Sequence, residues 1–180
     1  MRIQLVKPDL HSMDQVRADT LALGVFEEDR PPRGLAGLAD WRLCGRISRL
    51  IALGQVTGRF REMVLFPGYG RFPISRVCVV GLGRRAEFNA ARARETAWVL
   101  MESLRKLRAP SFITSLPGSP MASVPYRARM DLFLEELVRV YGPEEGAAGV
   151  EVFVVEPLEV HRDLGDVVSA TMRKMRALWK

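Results

Sequence analysis

Two glycine-bearing turns are the places in this chain where backbone could hold a ligand. Gly81-Leu82-Gly83-Arg84 follows the apolar run Val77-Cys78-Val79-Val80, and Gly68-Tyr69-Gly70 follows Pro67. Glycine lets main chain approach an anion closely, and successive N–H groups or a helix N-terminus can cradle phosphate oxygens. Gly68, Tyr69, Gly70, Gly81, Gly83 and Arg84 are therefore the candidate ligand-loop residues. The carboxyl end of a strand in an α/β sheet is where ligands usually bind, which favours the second turn. The competing reading is that each turn only joins two elements of a scaffold, and for Gly81, Gly83 and Arg84 that structural role ranks first.

The rest of the chemical inventory is sparse. The acidic pairs Glu27-Glu28, Glu135-Glu136 and Glu144-Glu145 fall in loops or on a helix, where neighbouring side chains point in different directions. They read as solvated surface, because a two-metal hydrolytic centre needs carboxylates converging on cations about 4 Å apart. No serine sits in a Gly-x-Ser-x-Gly turn. Cys44 and Cys78 match no zinc spacing, and His11 and His161 are isolated. Catalytic residues, metal ligands and cofactors are all expected to be absent, and the chain reads as not an enzyme.

The elements that would position these turns follow from pattern. A length of 180 residues with 48% hydrophobic and 27% charged content suits one globular domain. No apolar run reaches membrane-span length, and the first residues are too short and interrupted for a signal peptide, so a cytoplasmic location is the default. The net charge of +6 rests on arginines, the lysines being only Lys7, Lys106, Lys174 and Lys180. The arginines are dispersed rather than massed, which makes nucleic acid an unfavoured partner.

Arg2–Val6 alternates as a strand, and 19–26, 62–66, 74–81, 111–115 and 150–155 are further apolar or β-rich runs. Between them, 38–53 carries Leu38, Trp41, Cys44, Ile47, Leu50 and Ile51 at helical spacing and stops at Gly54. Asn89 is suited to cap a helix running to about Leu107, and 127–141 is amphipathic. Asp163 opens a last helix with Leu164, Val167, Val168, Thr171, Met175 and Leu178 on one side. Strands alternating with helices predict a three-layer αβα sandwich with a mixed, mostly parallel sheet. The domain proper is expected over 1–160, with the closing helix over 161–180.

Three phrases, in order and at matching spacing, resemble the N-terminal domain of the M17 leucyl aminopeptidase family. They are Leu21-Ala22-Leu23-Gly24-Val25-Phe26-Glu27, Gly45-Arg46-Ile47-Ser48-Arg49-Leu50-Ile51-Ala52-Leu53-Gly54-Gln55-Val56-Thr57-Gly58, and Arg76-Val77-Cys78-Val79-Val80-Gly81-Leu82-Gly83-Arg84-Arg85-Ala86-Glu87-Phe88. The segment 159–175 is similar to the family's linker helix. The resemblance implies a macro-domain-like fold and a part in oligomer assembly, while the family's metal ligands and catalytic arginine belong to a C-terminal domain with no counterpart positions here. The leading expectation is thus a non-catalytic module, standing alone, that associates with itself as a homo-oligomer or with an M17 peptidase. Met172, Met175, Leu178 and Trp179 on the closing helix are its candidate interface. The alternatives are a macro-like binder of a small molecule such as ADP-ribose or a nucleotide, and a weak nucleic-acid binder.

Overall fold

A computed structural model describes residues 1–71, 73–120, 124–142 and 149–178. The strands are β1 (Arg2–Val6), β2 (Thr20–Val25), β3 (Met63–Pro67), β4 (Arg76–Gly81), β5 (Ser111–Thr114) and β6 (Glu151–Val155). They form one sheet in the order β1-β6-β5-β2-β4-β3, parallel throughout except that β3 runs antiparallel to β4. The helices are α1 (Leu10–Asp14), α2 (Gly34–Arg42), α3 (Arg46–Ala52), α4 (Ala90–Lys106), α5 (Tyr126–Tyr141) and α6 (His161–Leu178).

Alternation along the strands divides the core between two faces. Leu21, Leu23 and Val25 of β2 pack with Val77 and Val79 of β4 beneath Leu35, Ala39, Ile47 and Leu50 of α2 and α3. Ala22, Phe112, Val152 and Val154 face the other way, under Ala97, Leu100 and Leu104 of α4, Phe133 and Leu137 of α5, and Leu164 and Val167 of α6. Helices on both faces explain why the central strands read as continuous apolar runs. The three-layer sandwich expected from the sequence is the observed architecture, and among the described residues no helix is long and apolar enough to cross a membrane.

The helix expected over 38–53 is two helices. Cys44 and Gly45 take left-handed backbone, with φ of 54° and 76°, and the chain turns between α2 and α3. Gly45 N–H donates to the Asp40 carbonyl at 2.8 Å, closing the end of α2. The Asp40 carboxylate then accepts from Ser48 N (2.9 Å) and Ser48 Oγ (2.5 Å), steadying the start of α3. The apolar period survives across the break, so it gave no warning of it. Trp41 and Cys44, expected on the buried stripe, are exposed as a result, Trp41 to 68%. The last helix begins at His161, before Asp163, and the five-residue α1, capped by the Asp9 carboxylate on Ser12 N at 2.7 Å, had no sequence signal long enough to read.

The two thiols differ accordingly. Cys78 lies inside β4, where burial pushes its thiol up to about 11, whereas Cys44 is open to solvent. Thiolate is the reactive form, so iodoacetamide at neutral pH should label one thiol per native chain and both after unfolding, read by intact mass. Two labels on the native chain would contradict this packing of β4.

Candidate functional site

The antiparallel placement of β3 separates the two glycine turns. Pro67 pairs with Arg76, so the Gly68-Tyr69-Gly70 turn lies at the amino end of β4. Gly81, Gly83 and Arg84 lie at its carboxyl end, and the two loops cannot meet around one ligand. Tyr69 is occupied by Arg46, whose guanidinium stands 5.5 Å from the ring centre and donates to the phenol oxygen at 3.4 Å.

The Gly81–Gly83 turn is packed and bonded within the chain. A Cβ built on Gly81 would stand 1.9 Å from the Arg59 carbonyl oxygen. Gly81 N–H donates to Glu62 O at 2.8 Å and Gly83 N–H to Gly58 O at 2.8 Å, while the Gly83 carbonyl accepts from Glu27 N at 3.1 Å. Both glycine N–H groups of the turn therefore already have partners. Arg84 extends into solvent with Glu27 3.8 Å away. Beside it Asp29, 5% exposed, accepts from Phe26 N at 3.0 Å and from Arg85 Nη2 at 2.5 Å, tying the β2 and β4 loops together.

An open concavity at the carboxyl end of the sheet lies over β5 and β6, beside the start of α2. It is a cleft of about 310 Å³ lined by Leu35, Leu38, Ser115, Ser119, Val155 and Glu156, among others. Glu156 follows directly after β6 and is 1% exposed. Its Oε1 accepts from Leu116 N at 2.7 Å and from Ser119 Oγ at 2.8 Å. Ser119 Oγ in turn accepts from Arg129 Nη1 at 2.6 Å, so one hydroxyl links the two charges. Arg129, also 1% exposed, donates through Nε to Val124 O at 2.9 Å and stacks 4.4 Å over Tyr126.

Burial pushes the Glu156 carboxyl up to about 7, against the opposing pull of the Ser119 and Leu116 hydrogen bonds and of the Arg129 charge. Burial likewise lowers Arg129. Among the described residues no basic side chain lines the cleft. The Leu116 N–H, at the carboxyl end of β5, is the type of donor that a phosphate oxygen uses, and the chain's own carboxylate has taken it. Above about pH 7, where Glu156 is ionised, an anion placed there would meet like charge.

Neither Ser119, Arg129 nor Glu156 stood out in the sequence; the nearest signal was a charged residue, followed by proline, directly after a buried strand. Among the described residues no group of three His, Cys, Asp or Glu side chains could hold a metal ion. On α6, Met175 is buried at 4% exposure and Met172 is half-buried. The side chain of Leu178, the whole of Trp179 and the Glu144-Glu145 pair lie outside the described residues.

The sheet order and flanking helices define a macrodomain-like α/β domain. The Trypanosoma brucei macrodomain in complex with ADP-ribose superposes with a TM-score of 0.72 at 15% identity, covering 93% of this chain and 69% of that one. At such identity the likeness speaks for the fold alone. The model of the cytosol aminopeptidase family, N-terminal domain, matches residues 22–129, and the chain belongs to that family. A probable cytosol aminopeptidase of Geobacter sp. (strain M21) is 34% identical over 97 residues, 54% of this chain and 19% of the relative. A mutant of tomato leucine aminopeptidase aligns with a TM-score of 0.63 at 16% identity, over 92% of this chain and 35% of that one. The chain thus spans about a fifth of the length of the curated relatives it matches.

Proposed function

We propose that this domain is a non-catalytic association module, which binds a second copy of itself or a peptidase of its own family. The observation that carries this reading is the cleft: at the end of the sheet where α/β domains usually take ligands, the Glu156–Ser119–Arg129 network fills the polar positions from within. A diphosphate there would find the Leu116 N–H already taken by Glu156 and, among the described residues, no arginine or lysine in the lining. The family match, which lies in the N-terminal domain, supports the same reading. So does the exposure of large apolar side chains, Trp41, Leu53 and Leu65 among them, on a domain whose core is otherwise covered.

Light scattering coupled to size exclusion tests it, with the protein alone over a concentration series and mixed with a purified full-length cytosol aminopeptidase. The expected result is a mass above that of one 180-residue chain, or comigration with the peptidase. A strict monomer at the highest concentration, migrating apart from the enzyme, would refute the module.

A further inference from the structure

Among the described residues several arginines on α4 and α5 are paired with carboxylates, whereas the two on α3 are not. Over α4 and α5 each of several arginines meets a carboxylate: Arg94 meets Glu135 at 2.6 Å and Glu136 at 3.1 Å, Arg139 meets Glu136 at 3.0 Å, and Arg105 meets Glu102 at 3.4 Å. Over α2 and α3 the supply of acid runs out. Asp40 is the one acidic residue between Gly34 and Leu53, and its carboxylate caps Ser48. Arg42 is held by Asp14. Arg46 and Arg49, one turn apart on α3, have no carboxylate within ion-pair distance among the described residues.

These cations lie among exposed apolar and aromatic groups. The buried stripe of α3 is Ile47, Leu50 and Ile51, which turns Arg49 and Leu53 outward, four residues apart. Leu53 is 65% exposed and Tyr69, stacked on Arg46, is 55% exposed. Trp41 stands outward at the end of α2, three residues before the left-handed Cys44. Trp, Tyr and Arg are the side chains that dominate protein–protein hot spots.

We propose that the outer surface of α2 and α3, with Trp41, Arg46, Arg49, Leu53 and Tyr69, is a docking surface for a partner protein that presents carboxylates beside apolar side chains. The proposal rests on the association reading above and names the chemistry of the partner. Charge decides against a second copy at this surface. A two-fold interface sets a patch against itself, and here it would press Arg46 and Arg49 onto their own equivalents with no free acid between them. Nucleic acid fits less well than an acidic protein: strong duplex binders neutralise roughly 6–10 phosphates, a count that the Arg46–Arg49 pair falls short of.

The test is fluorescence anisotropy with three labelled probes: an amphipathic helix of Glu, Leu and Ala, the same peptide with Lys for Glu, and single-stranded oligothymidine. The acidic peptide should bind, and more weakly as salt rises. Arg46→Glu/Arg49→Glu should weaken it at least tenfold, as expected when attraction becomes repulsion across an interface. Trp41→Ser/Leu53→Ser should weaken it at least about fivefold without altering the salt slope. Arg173→Glu, exposed on α6, should leave it unchanged. Trp41, Arg49, Leu53 and Arg173 are exposed and Arg46 is half-buried, so melting temperatures of all variants are compared with the wild type to report any that has misfolded. Equal affinity of the charge-reversed variant, no binding of the acidic peptide, or tighter binding of oligothymidine would each overturn the proposal. Association in light scattering that persists in the charge-reversed variant would overturn the placement and leave the module standing.

Discussion

Gly81→Ala is expected to destabilise the domain by about 3 kcal/mol or more, a large share of the total stability of an ordinary domain. The added methyl would lie 1.9 Å from the Arg59 carbonyl oxygen and 2.8 Å from the Gly58 carbonyl carbon, both main-chain atoms of a segment that crosses the end of β4. That segment cannot simply retreat, because Gly81 N donates to Glu62 O at 2.8 Å and Arg61 N donates back to Gly81 O at 3.1 Å. Overpacking ordinarily costs about 1–3 kcal/mol, and a clash with bonded backbone belongs at or beyond the top of that range. For a domain of this size the loss corresponds to a melting temperature lower by roughly 6–12 °C.

Gly45→Ala supplies the contrast. Its φ is 76°, yet nothing stands within 4 Å of the added methyl, so only the left-handed backbone strain of about 1–2 kcal/mol remains. Urea unfolding of both variants separates space from backbone conformation. A Gly81→Ala cost below that of Gly45→Ala would mean that the β4 turn is not packed as described, and would restore it as a free ligand loop.

The second large effect is a pH dependence removed by Glu156→Gln. The Glu156 carboxyl sits at about 7 in the fold against an ordinary 4.5, because burial disfavours its charge more than the Ser119 and Leu116 hydrogen bonds and Arg129 restore it. Between these values the folded chain holds a proton that the unfolded chain has released. The protonated carboxyl's stability is therefore complete below about 4.5, is lost progressively as pH rises to about 7, and is gone above it. The span corresponds to a ceiling of about 3 kcal/mol. Glutamine can still accept from Leu116 N and Ser119 Oγ through its amide oxygen but never ionises. Stability measured by urea unfolding at pH 5 and pH 8 should thus fall less in Glu156→Gln than in the wild type, all other titrating groups cancelling in the difference. Parallel curves for the two proteins would place Glu156 in a more solvated position than the structure does.

Arg129 explains why this carboxyl is not simply replaced by an apolar residue. Removing either end of the Glu156–Ser119–Arg129 network leaves a buried polar partner unsatisfied. Here the network holds the loop after β5 to the end of β6, which fixes the width of the cleft beside Gly34. A Cβ on Gly34 would stand 2.6 Å from Pro120 Cδ, so this glycine is required by the close approach of that loop.

Much of the fold could be read in the chain. β4 was legible because a strand buried on both faces needs an unbroken apolar run, and α4 because Asn89 precedes a stripe at helical spacing; its carboxamide does accept from Arg92 N, at 3.0 Å. The ordered phrases from Leu21 to Phe88 were legible as a family resemblance, and the matching family model covers all but the first residue of that region. The break in the helix was not. It depends on the left-handed conformations of Cys44 and Gly45, a matter of two dihedral angles that leaves the apolar period intact.

The network in the cleft lay further out of reach. Ser119 and Glu156 are 37 residues apart, and they meet because β5 and β6 are parallel neighbours whose carboxyl ends coincide. Likewise, nothing local shows that the Gly68–Gly70 and Gly81–Gly83 turns lie at opposite ends of the sheet, since the direction of β3 against β4 is a tertiary fact. The sequence by itself determined the alternation of strands and helices, the layered class and the kinship, because periodicity and glycine punctuation are local. The tertiary structure alone decided which polar groups converge, which arginines are neutralised and which turn is closed, because those depend on contacts between residues tens of positions apart.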